Sequence, residues 1–202
     1  MMRLLLASLL TLPLTVSLPA AEKVPPCFPG AIYRKAVSSK ADWTGIEATV
    51  TLPRLEVDPT RTNPKNGRPL DNSSIYLGGS SGEQEIDAGL SWEVIRDAAG
   101  SVTPQRVAYR PFWRNDQWFN APAKADLYFF PGDTVTMYCR MVEDEQMELG
   151  VRLVKRAPES LERLAELKLR TSDYPTTFTA RFEATDFRMS GPQEFKRVNA
   201  ID

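Results

Sequence analysis

Apolar and polar residues alternate along several segments of this chain, and the longest such segment runs from Glu83 to Ile95. From position 86 every second residue is apolar: Ile86, Ala88, Leu90, Trp92 and Val94. A period of two is expected when a β-strand buries one face in a core and leaves the other face outside. The segment therefore predicts a long strand whose outer face carries Asp87, Ser91 and Glu93.

The same alternation recurs at residues 46–52, 135–141 and 147–153. In the second of these segments, Tyr138 and Arg140 fall on the polar side. Turn residues separate the segments, and such a series of short strands favours an all-β fold. We expect an antiparallel β-sandwich of the jelly-roll kind.

One segment departs from the period of two. From Pro158 onward, Leu161, Leu164 and Leu167 recur at helical spacing, and proline is tolerated in the first turn of a helix. This pattern predicts one short helix near residues 158–169.

The first 21 residues have the composition of a secretory signal peptide. A single positive charge at Arg3 precedes an apolar run, and small residues follow at Ala20 and Ala21. The alternative is a buried or membrane-spanning helix, but the run is short and contains prolines. We expect cleavage after residue 21, an N-terminal extension over residues 22–42, and one domain over residues 43–202. The protein should be secreted or periplasmic, without membrane contact after cleavage.

The composition of the chain excludes several kinds of catalytic site and of partner. The chain has no histidine, which excludes Ser-His-Asp and Cys-His catalysis and histidine-ligated zinc. Its 25 Lys and Arg residues nearly balance 26 Asp and Glu residues, with no basic stripe, so nucleic acid is not an expected partner. We also expect no cofactor and no metal, since no loop has the density of oxygen ligands that calcium requires.

Two cysteines, Cys27 and Cys139, follow the predicted cleavage site. A disulfide between them is permitted outside the cytoplasm. The alternative is two separate thiols, with Cys139 an ordinary buried residue. The sequence leaves both open.

The densest aromatic cluster of the chain spans residues 109–119. It contains Tyr109, Phe112, Trp113, Trp118 and Phe119 beside arginine and asparagine residues. Such rings can stack on a sugar or hold a peptide side chain, or they can fill the core. We take Tyr109, Trp113 and Trp118 as candidate ligand contacts.

Three strand motifs resemble those of the eqolisins, the secreted glutamic peptidases: WTGIEATVTLP at residues 43–53, DAGLSWE at 87–93 and FFPGDTVTM at 129–137. Their order and approximate spacing agree with that family. The resemblance implies a concanavalin A-like jelly roll with a concave, ligand-binding face. It also implies a catalytic Gln and Glu; the Gln position falls on Asp87 and the Glu position on Arg181, with Glu183 two residues further on the same face.

Two functional hypotheses follow. In the first, the protein binds a glycan or an extended peptide on its concave face without catalysis, and the contacts include Tyr138, Arg140 and Arg181. In the second, it is a carboxylate-dependent hydrolase, a peptidase or glycosidase, in which Asp87 pairs with Glu183 or Glu93.

Overall fold

The computed structural model describes residues 32–38, 41–54, 60, 73–94, 107–122, 127–166 and 177–201. Within these ranges the chain forms ten strands and one helix. The strands are β1 (Ile32–Val37), β2 (Gly45–Thr51), β3 (Ser74–Ser81), β4 (Gln84–Val94), β5 (Val107–Arg114), β6 (Trp118–Asn120), β7 (Thr134–Glu143), β8 (Gln146–Lys155), β9 (Thr177–Glu183) and β10 (Glu194–Ile201). The helix α1 (Pro158–Glu166) follows β8 and confirms the short helix predicted from leucine spacing.

The strands form two antiparallel sheets that pack face to face. The larger sheet has six strands in the order β1-β10-β3-β4-β5-β6, and the smaller has four in the order β2-β7-β8-β9. The predicted all-β antiparallel sandwich is therefore confirmed. Strand β1, which falls in the predicted N-terminal extension, pairs with β10 and belongs to the larger sheet.

The core lies between the two sheets and contains the alternating residues predicted to point inward. Ile86, Ala88 and Leu90 of β4 are fully buried in it, as are Met137 and Cys139 of β7. Each strand thus presents its other residues on the outer face of its sheet. These two outer faces are where the polar chemistry of the protein is found.

A buried aspartate joins the start of β7 to the start of α1. Asp133 is fully buried and accepts hydrogen bonds from Phe130 N at 3.0 Å, Ala157 N at 2.9 Å and Ser160 Oγ at 2.6 Å. Arg156 Nη1 lies 3.3 Å from the same carboxylate. Asp133 therefore has a structural role, because both of its carboxylate oxygens are already engaged in contacts that fix the turn and the helix.

Cys139 is a free thiol in the core, and burial raises its pKa to about 12. Cys27 lies outside the described residues, so the disulfide considered from the sequence stays untested. The signal peptide also lies outside them and stays a prediction. Among the described helices, none is long and apolar enough to cross a membrane.

Candidate functional site

The outer face of the six-stranded sheet carries a row of residues that runs across five strands. Antiparallel pairing places Lys196 opposite Gly78, Gly78 opposite Asp87, Asp87 opposite Arg114, and Arg114 opposite Trp118. Directly paired residues point to the same side of a sheet. The row therefore sets two cations, a carboxylate and an indole side by side.

Gly78 allows the two ends of this row to meet. Lys196 and Asp87 lie on strands that flank β3, about 10 Å apart at the spacing of neighbouring strands. A lysine side chain can cross that gap only if the residue of β3 that lies between them has no side chain. A Cβ at Gly78 would overlap the carbonyl oxygen of Ile86, so this position accepts glycine alone.

Lys196, Asp87, Arg114 and Glu85 form what we call the ionic quartet. Lys196 Nζ lies 2.7 Å from Asp87 Oδ1, in an ion pair without hydrogen-bond geometry, and also contacts Glu85. On the other side, Arg114 donates from Nε to Asp87 Oδ2 at 2.9 Å, and its Nη2 lies 3.2 Å from Glu85 Oε2. Two positive charges therefore balance two negative charges.

The quartet is buried although it faces away from the core. Lys196 is 3% exposed and Asp87 is 7% exposed, while Glu85 and Arg114 are partly accessible. A charged group at such depth persists only if it is paired. The hydrogen bond from Lys196 holds the pKa of Glu85 below its usual range. Burial alone would lower the pKa of Arg114, but Asp87 and Glu85 raise it above its ordinary value.

Beside the quartet lies an aromatic row made of Tyr76, Phe112 and Trp118. The rings of Phe112 and Trp118 stack with centroids 4.3 Å apart and planes 6° apart, and Tyr76 meets Phe112 edge-on at 6.0 Å. Phe112 is 1% exposed, whereas Trp118 is 48% exposed. Because Phe112 covers one side of the indole, the exposed side is its flat outer face.

The predicted site residues do not form one site. Asp87, Ser91 and Trp118 share the outer face of the six-stranded sheet, where Ser91 pairs with Arg110. Glu93 is on the same strand, opposite Ala108, but its side chain lies outside the described part of the structure.

Two of the predicted aromatic contacts belong to the core instead. Tyr109 is fully buried, and its hydroxyl donates to Pro53 O at 3.1 Å. Trp113 also faces inward and stacks on Phe119 and Phe182 at 5.6 and 6.1 Å. They point inward because they alternate with Arg110, Phe112 and Arg114 along β5.

The remaining predicted residues lie on the opposite side of the sandwich. Tyr138, Arg140, Arg181 and Glu183 occupy the outer face of the four-stranded sheet. The thickness of two packed sheets separates them from Asp87, so the acid pair of Asp87 with Glu183 does not form. The acid that neighbours Asp87 is Glu85.

Sequence reasoning missed Glu85 and Lys196. Glu85 had a local signal, because it stands two residues before Asp87 on one strand and therefore shares its face. Lys196 had none, since its position depends on the pairing of β10 with β3. Within the described ranges, no group of three acidic, cysteine or histidine side chains is arranged to hold a metal.

No protein-family model matches the chain, and no curated protein matches it. Among solved structures, the chain is similar to scytalido-glutamic peptidase with a peptide-based transition-state analogue, at 10% identity and a TM-score of 0.48, over 86% of this chain and 65% of that one. It is also similar to SCP-B, a member of the eqolisin family of peptidases, in complex with the tripeptide Ala-Ile-His. That match has 10% identity and a TM-score of 0.45, over 84% of this chain and 63% of that one. The chain thus spans less than two thirds of either peptidase. The likeness is distant, and SCP-B belongs to the family whose strand motifs the sequence resembles.

Proposed function

We propose that this protein binds a glycan on the outer face of its six-stranded sheet and does not hydrolyse it. The observation that carries the proposal is the flat, exposed face of Trp118 beside the ionic quartet. Sugar rings present a C–H face that packs on an indole, and their hydroxyl groups need polar partners close by. The accessible part of Arg114 supplies such a partner directly next to the indole, and Glu85 lies beyond it, in contact with Arg114. The predicted signal peptide supports a secreted or periplasmic location.

The quartet also argues against hydrolysis. Glycosidases with paired carboxylates need one acid that is protonated at the working pH, and its pKa is therefore raised. Here the pKa of Glu85 is shifted in the opposite direction, and Asp87 contacts a cation on each side. Glu85 is therefore not poised to donate a proton to a leaving group. A binding role requires no proton transfer from the quartet, which would offer the ligand a fixed set of polar contacts.

The test compares two neighbouring aromatic residues of β6. Trp118 and Phe119 are 48% and 40% exposed but point to opposite sides of the sheet. We would screen the purified chain against a panel of neutral oligosaccharides, then measure affinity by titration calorimetry. Trp118→Ala should weaken binding about tenfold or more, equivalent to about 1.4 kcal/mol, whereas Phe119→Ala should leave it unchanged.

Two results would overturn the proposal. One is equal loss of affinity in both variants, which would place the ligand elsewhere. The other is turnover of a glycan or peptide by the wild-type chain that disappears in Asp87→Ala, which would restore the hydrolase hypothesis.

A further inference from the structure

The outer face of the four-stranded sheet contains a second polar arrangement that the proposed glycan site does not use. Antiparallel pairing places Arg140 of β7 opposite Glu148 of β8, and Glu148 opposite Arg181 of β9. The three side chains therefore lie in one row, with the carboxylate between two guanidinium groups. We call this row the arginine clamp.

Glu148 holds both arginines in place. It is only 8% exposed, and it accepts hydrogen bonds from Arg140 Nη2 at 2.9 Å, Arg181 Nε at 3.1 Å and Tyr138 Oη at 3.0 Å. The hydrogen bond from Arg140 holds the pKa of Glu148 below its usual range. The carboxylate therefore stays ionised and fixes the direction of each guanidinium group.

The opposite ends of the guanidinium groups remain accessible. The side chains of Arg140 and Arg181 are 56% and 67% exposed. Each guanidinium has five N–H donors, and among the described residues Glu148 is the one acceptor that either contacts. Most of the donors therefore point to solvent from positions that are already set.

Tyr138 adds rigidity to the clamp. Its ring lies across Gly150, where a Cβ would overlap the ring atoms, and the guanidinium of Arg140 packs on the ring at 4.5 Å. Ordering a free arginine side chain on binding costs conformational entropy. That cost is reduced here because both arginines are held before any ligand arrives.

The local charge favours a single oxyanion over a long polyanion. With Glu148 paired to both arginines, the clamp has a net charge of +1, and exposed Arg152 lies further along the outer face of β8. Glu47 and Glu183 flank the clamp on the edge strands β2 and β9, so the positive region is small. A nucleic-acid backbone would meet these acids, whereas one carboxylate or sulfate group would not.

Two exposed threonines lie on the same face as the clamp. Thr49 shares a hydrogen bond at 2.9 Å with buried Thr136, and Thr179 of β9 pairs with Gly150. Such hydroxyl groups can form hydrogen bonds with a sugar, whereas a bound peptide would require apolar pockets for its side chains. We propose that Arg140 and Arg181 bind the carboxylate or sulfate group of an acidic saccharide on this face.

The probes are a galactose trimer with one galacturonate residue for a carboxylate, a disaccharide with one sulfate group for a sulfate, a neutral galactose trimer, and a single-stranded oligonucleotide. Binding of each to the purified chain would be measured by calorimetry and by NMR shifts of arginine Nε–H groups. We expect the acidic saccharides to bind, the neutral trimer not to bind, and the oligonucleotide to bind at least tenfold more weakly. Arg140→Gln and Arg181→Gln should each weaken binding of the acidic saccharides about tenfold or more.

The matched control is Arg188→Gln. Arg188 is an exposed arginine that is also paired with a glutamate, Glu145, but it lies outside this face. Its replacement should leave affinity unchanged, and so should Trp118→Ala, which separates this site from the proposed glycan site. The proposal is wrong if acidic saccharides do not bind at millimolar concentration. It is also wrong if the clamp variants bind as the wild type does, or if Arg188→Gln weakens binding equally.

Discussion

Removing Asp87 should destabilise the protein more than removing Lys196, although each change breaks the same ion pair. Lys196 is 3% exposed, and its charged partners among the described residues are Asp87 and Glu85. In Asp87→Ala, its buried ammonium keeps one partner, and that partner is half-exposed. Stranding a buried charge in this way costs about 3–5 kcal/mol of unfolding free energy.

Removing Lys196 leaves less buried charge without a partner. In Lys196→Met, Asp87 keeps Arg114, whose Nε and Nη2 lie 2.9 and 2.7 Å from Oδ2. The desolvation cost of burying the ammonium disappears as well, and methionine fills nearly the same space. We therefore expect Lys196→Met to lower the free energy of unfolding by about 1–2 kcal/mol.

Urea unfolding at pH 7, followed by tryptophan fluorescence and circular dichroism, measures both values. The double variant, Asp87→Ala with Lys196→Met, tests whether the two effects depend on each other. Once Lys196 is gone, loss of Asp87 no longer strands an ammonium, so the double variant should be more stable than the sum of the single effects predicts, by about 1–3 kcal/mol. If Lys196→Met costs as much as Asp87→Ala, or if the two effects are additive, the argument from burial is refuted.

Three further predictions concern single positions. Asp133→Ala should lower the free energy of unfolding by about 3–5 kcal/mol in urea titrations, because it leaves buried donors without an acceptor; an effect below about 1 kcal/mol would contradict this. The pKa of Glu85 is below its ordinary value of 4.5, so its contribution to stability is present above that pH and is lost as the pH falls through the lowered pKa. Urea midpoints between pH 7 and pH 3 should therefore depend less on pH in Glu85→Gln, and an unchanged profile would refute the assignment. Gly150→Ala should push the ring of Tyr138 off β8 and cost about 1–3 kcal/mol by the same measurement, while a stability equal to wild type would show that the ring adapts.

The fold could be predicted because the apolar residues of a strand alternate and point into the core between the sheets. Strands β4 and β7 show this clearly, since the residues predicted to point inward are the ones found in the core. The helix α1 was predictable for the same reason, with a period near 3.6 instead of 2. Such patterns are local, and they need no knowledge of which strands pair.

The site could be predicted only in part, because it depends on which strands are neighbours. Nothing near Asp87 in the sequence indicates that Lys196 lies two strands away, or that Glu183 lies on the other sheet. Tyr109 and Trp113 did carry a usable signal. They alternate with Arg110 and Arg114 on one strand, so these two rings had to point to the side opposite the cations.

The two outer faces share one arrangement, in which a glycine makes room for a long side chain to reach a carboxylate. On the larger sheet, Gly78 lets Lys196 cross a strand to reach Asp87; on the smaller, Gly150 lets Tyr138 lie across a strand and donate to Glu148. In both places a glycine leaves room for a long side chain to contact a carboxylate that also pairs with arginine. The carboxylate in turn fixes accessible arginine donors. An acid used in this way is a support for cations, and both proposed binding sites rest on this arrangement.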